Sequence, residues 1–161
     1  MFQFGEEIGL NELNQTEFFD ISDFKITNDR IYIADRAKNR LFLFHENGKL
    51  IHNTGREGRG PGEFIAGPKQ ITPLGEKIYV IAYQYPLLYV YDNQLNYIRN
   101  EEFDKNLINT YSMKNDRENV YILGTSFWED RMVVFDPSIN RVETVHIGVD
   151  IAPVLSIGKI F

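Results

Sequence analysis

The chain has 161 residues and no cysteine, and its 17 lysines and arginines against 23 aspartates and glutamates give a formal net charge of -6. Without cysteine, a disulfide framework, a thiolate zinc site, an iron–sulfur cluster and a cysteine nucleophile are excluded. The acidic balance argues against general nucleic-acid binding, which requires a basic surface. A content of 43% hydrophobic and 14% aromatic residues is typical of a folded domain with a sizeable core.

The start of the given sequence does not resemble a targeting segment. Residues 1–7 lack the basic start and the apolar run of a signal peptide. No stretch approaches the roughly 20 apolar residues that span a bilayer. We therefore expect a soluble chain with no membrane insertion and leave its compartment unknown. A periplasmic or extracellular location would require that the N-terminus is truncated.

A pattern of short strands repeats three times along the chain. A strongly apolar strand begins at positions 31, 78 and 120, and a second one follows at 41, 88 and 132. A weaker strand precedes each pair, at 23–27, 69–72 and 110–114, and a fourth strand follows it. Asn, Asp, Gly and Pro separate the strands, as expected of tight turns. Helical periodicity is nearly absent, and only 103–110 could form a single helical turn.

The strongly apolar strands predict sheets that are covered on both faces. Residues 31–34, 41–44 and 120–123 are apolar at consecutive positions, whereas a half-exposed antiparallel strand alternates apolar and polar residues. A four-stranded antiparallel meander buried on both sides and repeated every 40–50 residues is typical of a β-propeller blade. A two-sheet sandwich with long strands is the alternative, but it would not explain the repeat.

The first repeat also carries a set of signature residues. Ala34-Asp35 ends one strand, Asn39-Arg40 opens the next, Asn47-Gly48 forms a turn, and a glycine-rich loop closes on Gly62-Glu63-Phe64. In this order the residues resemble an NHL repeat, and the resemblance implies a divergent six-bladed propeller of bacterial type. The later repeats keep the strands but place Tyr83 and Thr125 where the first has Asp35.

The repeat boundaries divide the chain into blades and parts of blades. We expect an outer strand of a preceding blade with its connecting loop in 1–18, and blades in 19–64, 65–103 and 104–148. A first strand of a further blade is expected in 149–161. The chain would then be a partial propeller, about half of a six-bladed ring. Further blades would come from a missing segment or from a second chain.

Propellers commonly bind ligands on the face formed by the loops between the second and third strands and by the connections between blades. Arginines on these loops can bind acidic groups, and aromatic side chains can anchor a partner. The binding residues predicted on this face are Arg36, Arg56, Arg59, Tyr83, Tyr85, Phe127 and Trp128. Phe127 and Trp128 could equally pack over the end of their blade, and the same holds for the tyrosines.

The glycine-rich loop invites comparison with phosphate-binding loops. It has glycines at 55, 58, 60 and 62 with Arg56 and Arg59 between them. A P-loop requires Gly-Lys-Ser/Thr leading into a helix, and the dinucleotide fingerprint requires a strand–turn–helix, and neither context is present. We expect these glycines to allow tight turns. We expect Asp35 to accept hydrogen bonds from turn amides and to have an arginine, Arg40, as its neighbour.

The function predicted from these residues is non-enzymatic binding of a protein, peptide or glycan, with no cofactor, no nucleic acid and no catalytic or metal-ligating residues. His45, His52 and His146 do not join carboxylates on the loop face, and no Ser–His–Asp set can be assembled. The alternative follows from the resemblance. Related propellers include metal-dependent lactonases and lyases, so the chain could be part of such a hydrolase or lyase, with calcium, whose other site residues lie outside it.

Overall fold

A computed structural model describes residues 16–27, 29–83, 85–103, 105, 107, 109–126 and 129–147. These ranges form twelve β-strands and no helix. The described residues therefore contain no helix that is long and apolar enough to cross a membrane. The strands are β1 (Ile21–Ile26), β2 (Arg30–Asp35), β3 (Arg40–His45), β4 (Leu50–Thr54), β5 (Pro68–Leu74), β6 (Lys77–Ala82), β7 (Tyr85–Asp92), β8 (Tyr97–Glu102), β9 (Asn109–Asn115), β10 (Val120–Thr125), β11 (Asp130–Asp136) and β12 (Arg141–Ile147).

The strands form three four-stranded antiparallel sheets, each in sequence order. We call β1–β4 blade 1, β5–β8 blade 2 and β9–β12 blade 3. The first strands of successive blades are neighbours, because β1 contacts β5 and β5 contacts β9, so they form the inner edge of the array. The all-β class with four-stranded antiparallel propeller blades is confirmed. The strands predicted in 1–18 and 149–161 lie outside the described residues.

The structure corrects the end of the possible helical turn in 103–110. Asn109 and Thr110 belong to β9 instead, where they pair with Thr125 and Gly124. The polar composition of this connection weakened the strand pattern there. The strand begins because its backbone groups find partners on β10, which local sequence does not reveal.

Blade 2 is buried on both of its faces. Alternate residues of β6 point in opposite directions, so that Val80 faces blade 1 while Tyr79 faces blade 3. The first cluster joins blades 1 and 2 through residues that include Tyr32, Leu41, Leu43, Val80, Tyr89 and Tyr91. The second joins blades 2 and 3 through residues that include Tyr79, Leu88, Val90, Ile122, Val133 and Phe135. In blade 2, consecutive apolar residues therefore arise because each face of the sheet meets a neighbouring blade.

Two phenylalanines occupy equivalent places at the entry to blades 1 and 2. The ring of Phe18 packs edge-on against Phe42 of β3, with centroids 5.2 Å apart. Phe64, which is fully buried, packs against Tyr89 of β7 at 4.8 Å. Since Phe42 and Tyr89 hold the same position in the sequence repeat, the connecting loops enter successive blades in the same way.

Candidate functional site

Gly67 brings two loops of the expected binding face into contact. The amide of Tyr83, which follows β6, donates a hydrogen bond to the Gly67 carbonyl at 3.0 Å. Gly67 has a φ of +78°, and a Cβ built there would lie only 2.5 Å from the carbonyl oxygen of Arg36. A glycine is therefore required at this point, because no side chain fits between the β2–β3 turn and the connection to blade 2. This close approach places Arg36 beside Tyr83.

Arg36 is held between an aromatic ring and a carboxylate. Its guanidinium carbon lies 4.9 Å from the centre of the Tyr83 ring, within the range of a cation–π interaction. The guanidinium also pairs with the carboxylate of Asp20, and the Arg36 amide donates to the Asp20 carbonyl at 2.8 Å. The hydrogen bond to Asp20 raises the pKa of Arg36, which therefore remains a fixed cation.

Lys69 approaches the same tyrosine from the inner strand of blade 2. Its Nζ lies 5.0 Å from the Tyr83 ring centre and donates to the carbonyl of Thr110 on β9. Burial lowers the pKa of Lys69, as expected when an ammonium group loses water. In the described part of the chain, no carboxylate pairs with it. We refer to Arg36, Tyr83 and Lys69 as the tyrosine cluster.

The second predicted arginine, Arg56, stabilises the glycine-rich loop from within. Its Nε donates to Oε1 of Glu63 at 2.6 Å, and the Gly60 amide donates to Oε2 of the same carboxylate at 2.7 Å. The hydrogen bond from Gly60 and then that from Arg56 lower the pKa of Glu63. Arg56 therefore has a partner on its own loop and has no described contact with the tyrosine cluster.

The glycines of this loop accommodate the chain itself. A Cβ on Gly58 would lie 2.0 Å from Oε2 of Glu63, and one on Gly55 would lie 2.7 Å from the carbonyl oxygen of Asn39. Gly55 and Gly62 have φ values of +89° and +73°, which disfavour other residues. The prediction that the glycines serve tight turns is confirmed, since the space beside each is filled by protein atoms.

Arg59 lies over a separate cavity of about 310 Å³ between the glycine-rich loop and blade 2. The other lining residues are Gly60, Glu63, Ile65, Leu87, Tyr89, Asn100 and Glu102. Arg59 is exposed, and its guanidinium has no described side-chain partner. The candidate residues thus divide into the tyrosine cluster and this outer cavity.

The remaining predicted residues cannot be placed in either group. Tyr85 opens β7 and its backbone pairs with Ala82, but its side chain is not described. Phe127 and Trp128 lie outside the described residues. They fall within a connection that is closed by a 2.9 Å hydrogen bond from the Ser126 amide to the Glu129 carbonyl. A binding role for these three residues stays a prediction.

Asp35 has the structural role that the sequence indicates. Its carboxylate is fully buried and accepts hydrogen bonds from the amides of Phe19 at 2.9 Å, Asp20 at 3.3 Å and Lys38 at 3.0 Å. Arg40 is its partner residue in the β2–β3 register, but the Arg40 guanidinium donates to Asn53 instead. Asp35 therefore positions the backbone on both sides of Arg36.

Two residues of this site are absent from the residues predicted from sequence: Lys69, a member of the tyrosine cluster, and Asp20, which pairs with Arg36. Lys69 lies in a predicted inner strand, at 69–72, and not in a predicted loop. A usable signal was present, because inner strands border the loop face at their ends. Three or more metal-ligating side chains do not gather anywhere in the described ranges. The absence of a metal, and the metal-dependent alternative, both stay untested predictions.

The comparisons with known proteins agree with this architecture. A family model, DUF5128, described as a 6-bladed β-propeller, matches residues 1–142. A search of curated proteins gave no significant match. Neither comparison establishes the NHL assignment or a bacterial origin, which stay predictions.

Two solved structures show the same fold. A candidate exported protein from Bacteroides fragilis matches with a TM-score of 0.50 at 8% identity, over 82% of this chain and 72% of that one. An uncharacterized protein from Listeria monocytogenes matches with a TM-score of 0.50 at 10% identity, over 83% of this chain and 43% of that one. The chain thus spans less than half the length of the Listeria protein. Because the family model covers most of the chain, the protein belongs to the DUF5128 family of 6-bladed β-propellers.

Proposed function

We propose that this chain is a non-enzymatic binding module whose loop face binds an acidic group of a protein, peptide or glycan at the tyrosine cluster. One observation carries the proposal. Lys69 is a partly buried ammonium group that faces Tyr83 and has no described carboxylate partner. A buried cation without an anion is costly, and a bound carboxylate would offset that cost.

The charges around Tyr83 favour an anion. Arg36 and Lys69 supply two positive charges beside the Tyr83 ring. Among the described carboxylates, Asp20 forms an ion pair with Arg36, and none forms one with Lys69. This small positive site belongs to a chain with a net charge of -6, so the surrounding surface repels most anions. Selectivity would then depend on a ligand that places one acidic group accurately against the cluster.

The geometry offers a carboxylate two kinds of donor. The guanidinium of Arg36 has several N–H groups in one plane and can bond to a second oxygen anion while Asp20 is in place. The ammonium group of Lys69 acts as a compact charge beside it. Tyr83 fixes both cations and presents a ring against which the apolar part of a sugar or peptide can pack.

Paired ligands that differ in one carboxylate would test the proposal. We would measure the affinity of the chain for immobilised uronic-acid oligosaccharides and acidic peptides, each alongside its neutral amide. We expect Lys69→Met to weaken binding of the acidic probes by about tenfold, since a charge-assisted hydrogen bond is worth about 1.5–3 kcal/mol. Binding of the neutral amides should not change.

A second lysine provides the control. Lys105 is highly exposed and pairs with Glu102 at 3.1 Å, so Lys105→Met removes the same charge from a different place. We expect it to bind the acidic probes as the wild type does. The proposal is wrong if the wild type does not distinguish acid from amide, or if Lys69→Met and Lys105→Met behave alike.

A further inference from the structure

A cavity of about 730 Å³ lies between blades 2 and 3, at the ends of the strands opposite to the loop face. Its walls are the β5–β6 turn at 74–77, the β9–β10 turn at 117–118 and the β11–β12 turn at 136–138, together with Tyr79. The cavity includes the start of β6, whereas Tyr83 of the tyrosine cluster follows the end of that strand. We call this space the turn cavity. Its volume falls within the roughly 300–1,000 Å³ of small-molecule sites.

Tyr79 forms the innermost part of the turn cavity. It is fully buried, whereas the other lining residues are half-buried or exposed. Its ring packs against Phe135 with centroids 5.7 Å apart, and Leu74 of the cavity packs on the same apolar cluster. The Tyr79 hydroxyl has no hydrogen-bond partner in the described part of the chain. A buried hydroxyl without a partner is costly, so a ligand that bonds to it gains affinity.

The hydroxyl of Tyr79 is suited to an uncharged partner. Burial raises the pKa of Tyr79, so the group stays neutral and can both donate and accept a hydrogen bond. The apolar cluster around the ring would not compensate a charge brought against it. The innermost part of the turn cavity therefore favours a neutral hydroxyl or amide over an ion.

The mouth of the turn cavity carries charges of both signs. Lys77 and Arg117 supply two positive charges, and Glu76, Glu118 and Asp136 supply three negative ones. Among the described residues, neither cation has an ion pair or a side-chain hydrogen bond, and the carboxylates of Glu76 and Glu118 have none either. The mouth therefore offers both donors and acceptors to a ligand, and its excess of negative charge disfavours an anion.

Hydrogen bonds within the turns hold these walls in place. Asp136 accepts from the amide and the hydroxyl of Ser138, at 2.8 and 2.7 Å. Asp116 accepts from two amides of the β9–β10 turn, both at 2.7 Å. The guanidinium of Arg99 on β8 donates to Asn140 of the β11–β12 turn, which joins blade 2 to blade 3. A ligand would therefore meet walls that are already ordered, which lowers the entropic cost of binding.

We propose that the turn cavity binds a neutral mono- or disaccharide, with one sugar hydroxyl on the Tyr79 hydroxyl and others on the charged groups at the mouth. Each sugar hydroxyl donates one hydrogen bond and accepts others, so it suits a tyrosine hydroxyl, a carboxylate and a cation alike. This site goes beyond the proposed function, because it lies at the opposite ends of the strands from the tyrosine cluster and takes an uncharged ligand.

Amide NMR spectra of the chain would locate binding. Glucose, galactose, mannose, maltose, lactose and cellobiose would each be added at millimolar concentration, with inorganic phosphate and glycylglycine as probes of other classes. We expect at least one sugar to shift the amides of Lys77, Arg117 and Ser138. The amides of Arg36 and Tyr83 should stay in place, which separates this site from the tyrosine cluster.

Removing one hydroxyl tests the role of Tyr79. Tyr79→Phe keeps the ring, and we expect it to weaken sugar binding about tenfold without lowering the melting temperature, since the hydroxyl has no described protein partner. Tyr97→Phe is the control, because the Tyr97 hydroxyl bonds to Asn100 at 2.7 Å outside the turn cavity. It should bind sugar as the wild type does.

Arg117→Met tests the mouth. Arg117 is exposed and has no described partner, so the variant should keep its fold while binding sugar several-fold more weakly. The proposal is wrong if no sugar shifts the amides around the cavity, or if Tyr79→Phe binds sugar as tightly as Tyr97→Phe. Tighter binding of phosphate or glycylglycine than of every sugar would overturn the class of ligand.

Discussion

Asp35 shows at the scale of a single residue how a signature position acts. Its buried carboxylate accepts three backbone hydrogen bonds, two from the segment before β1 and one from the β2–β3 turn. We expect Asp35→Ala to lower the free energy of unfolding by about 3 kcal/mol, because three backbone amides lose their buried acceptor. Asp29→Ala should change it by less than about 0.5 kcal/mol, since Asp29 is exposed and makes only a 3.6 Å ion pair. Urea unfolding would measure both free energies, and equal losses for Asp35→Ala and Asp29→Ala would contradict this role of Asp35.

Glu63 gives a prediction for pH at the same scale. Its pKa in the folded chain lies below the usual 4.5, chiefly because of the Gly60 amide and then Arg56. The loop contact therefore stabilises the fold fully above the unfolded-state pKa and is lost as the pH falls through the lower folded value. Carboxyl-carbon NMR should place the Glu63 midpoint below 4.5.

Substitutions of two arginines would separate the causes of the lowered Glu63 pKa. Arg56→Ala should move the Glu63 midpoint up only in part, because the Gly60 amide still donates to the carboxylate. Arg59→Ala should leave it in place, since only the backbone of Arg59 contributes. A midpoint at or above the ordinary value in the wild type, or an equal effect of the two substitutions, would show that the loop is not organised around this carboxylate.

At the scale of an element, the connection between blades 1 and 2 depends on Gly67. Gly67→Ala would set a Cβ 2.5 Å from the Arg36 carbonyl at a φ of +78°, whereas Gly75 has a φ of +60° with nothing within 4 Å. We expect Gly75→Ala to cost about 1 kcal/mol from backbone strain alone. Gly67→Ala should cost at least about 2 kcal/mol more, because the connection must also move.

The same substitution links the element to the candidate site. Moving the connection separates Arg36 from the Tyr83 backbone, so Gly67→Ala should also weaken binding of the acidic probes, while Gly75→Ala should not. Thermal and urea unfolding would supply the free energies. If Gly67→Ala and Gly75→Ala lowered the free energy of unfolding equally, the close approach of Gly67 to Arg36 would not constrain residue 67.

The strands also show how accurately the sequence pattern predicts the bounds of each element. The apolar runs beginning at 31 and 41 mark β2 and β3 closely, and their central residues are buried at consecutive positions. The run beginning at 120 also marks β10, although Tyr121 and Leu123 are only half-buried because they point away from blade 2. The inner strands were harder to delimit. The sequence suggests 23–27 for β1, but the strand is Ile21–Ile26 and contains a register shift between Ile21 and Asp23. Inner strands have a pairing partner on one side only, so their polar residues obscure the periodicity.

At the scale of the whole molecule, packing between blades holds the described part of the chain together, because two apolar clusters join blade 1 to blade 2 and blade 2 to blade 3. Val80 is fully buried in the first cluster, whereas Ile98 is 44% exposed on the outer strand of blade 2. We expect Val80→Asp to lower the melting temperature strongly, since it buries an unpaired charge, and Ile98→Asp to change it little. Thermal unfolding followed by circular dichroism would measure both, and equal melting temperatures would contradict this role of the contact between blades.

The sequence by itself determined the class of fold, the repeat and the role of the glycines. These features are set locally, by strand periodicity, turn chemistry and backbone angles that only glycine readily adopts. It also named Arg36 and Tyr83 as residues of the loop face. Only the tertiary structure decided that these two meet, that Lys69 joins them from an inner strand, and that Arg56 and Arg59 belong elsewhere. Contacts of this kind depend on the distances between successive blades and their connecting loops. No local sequence pattern encodes those distances.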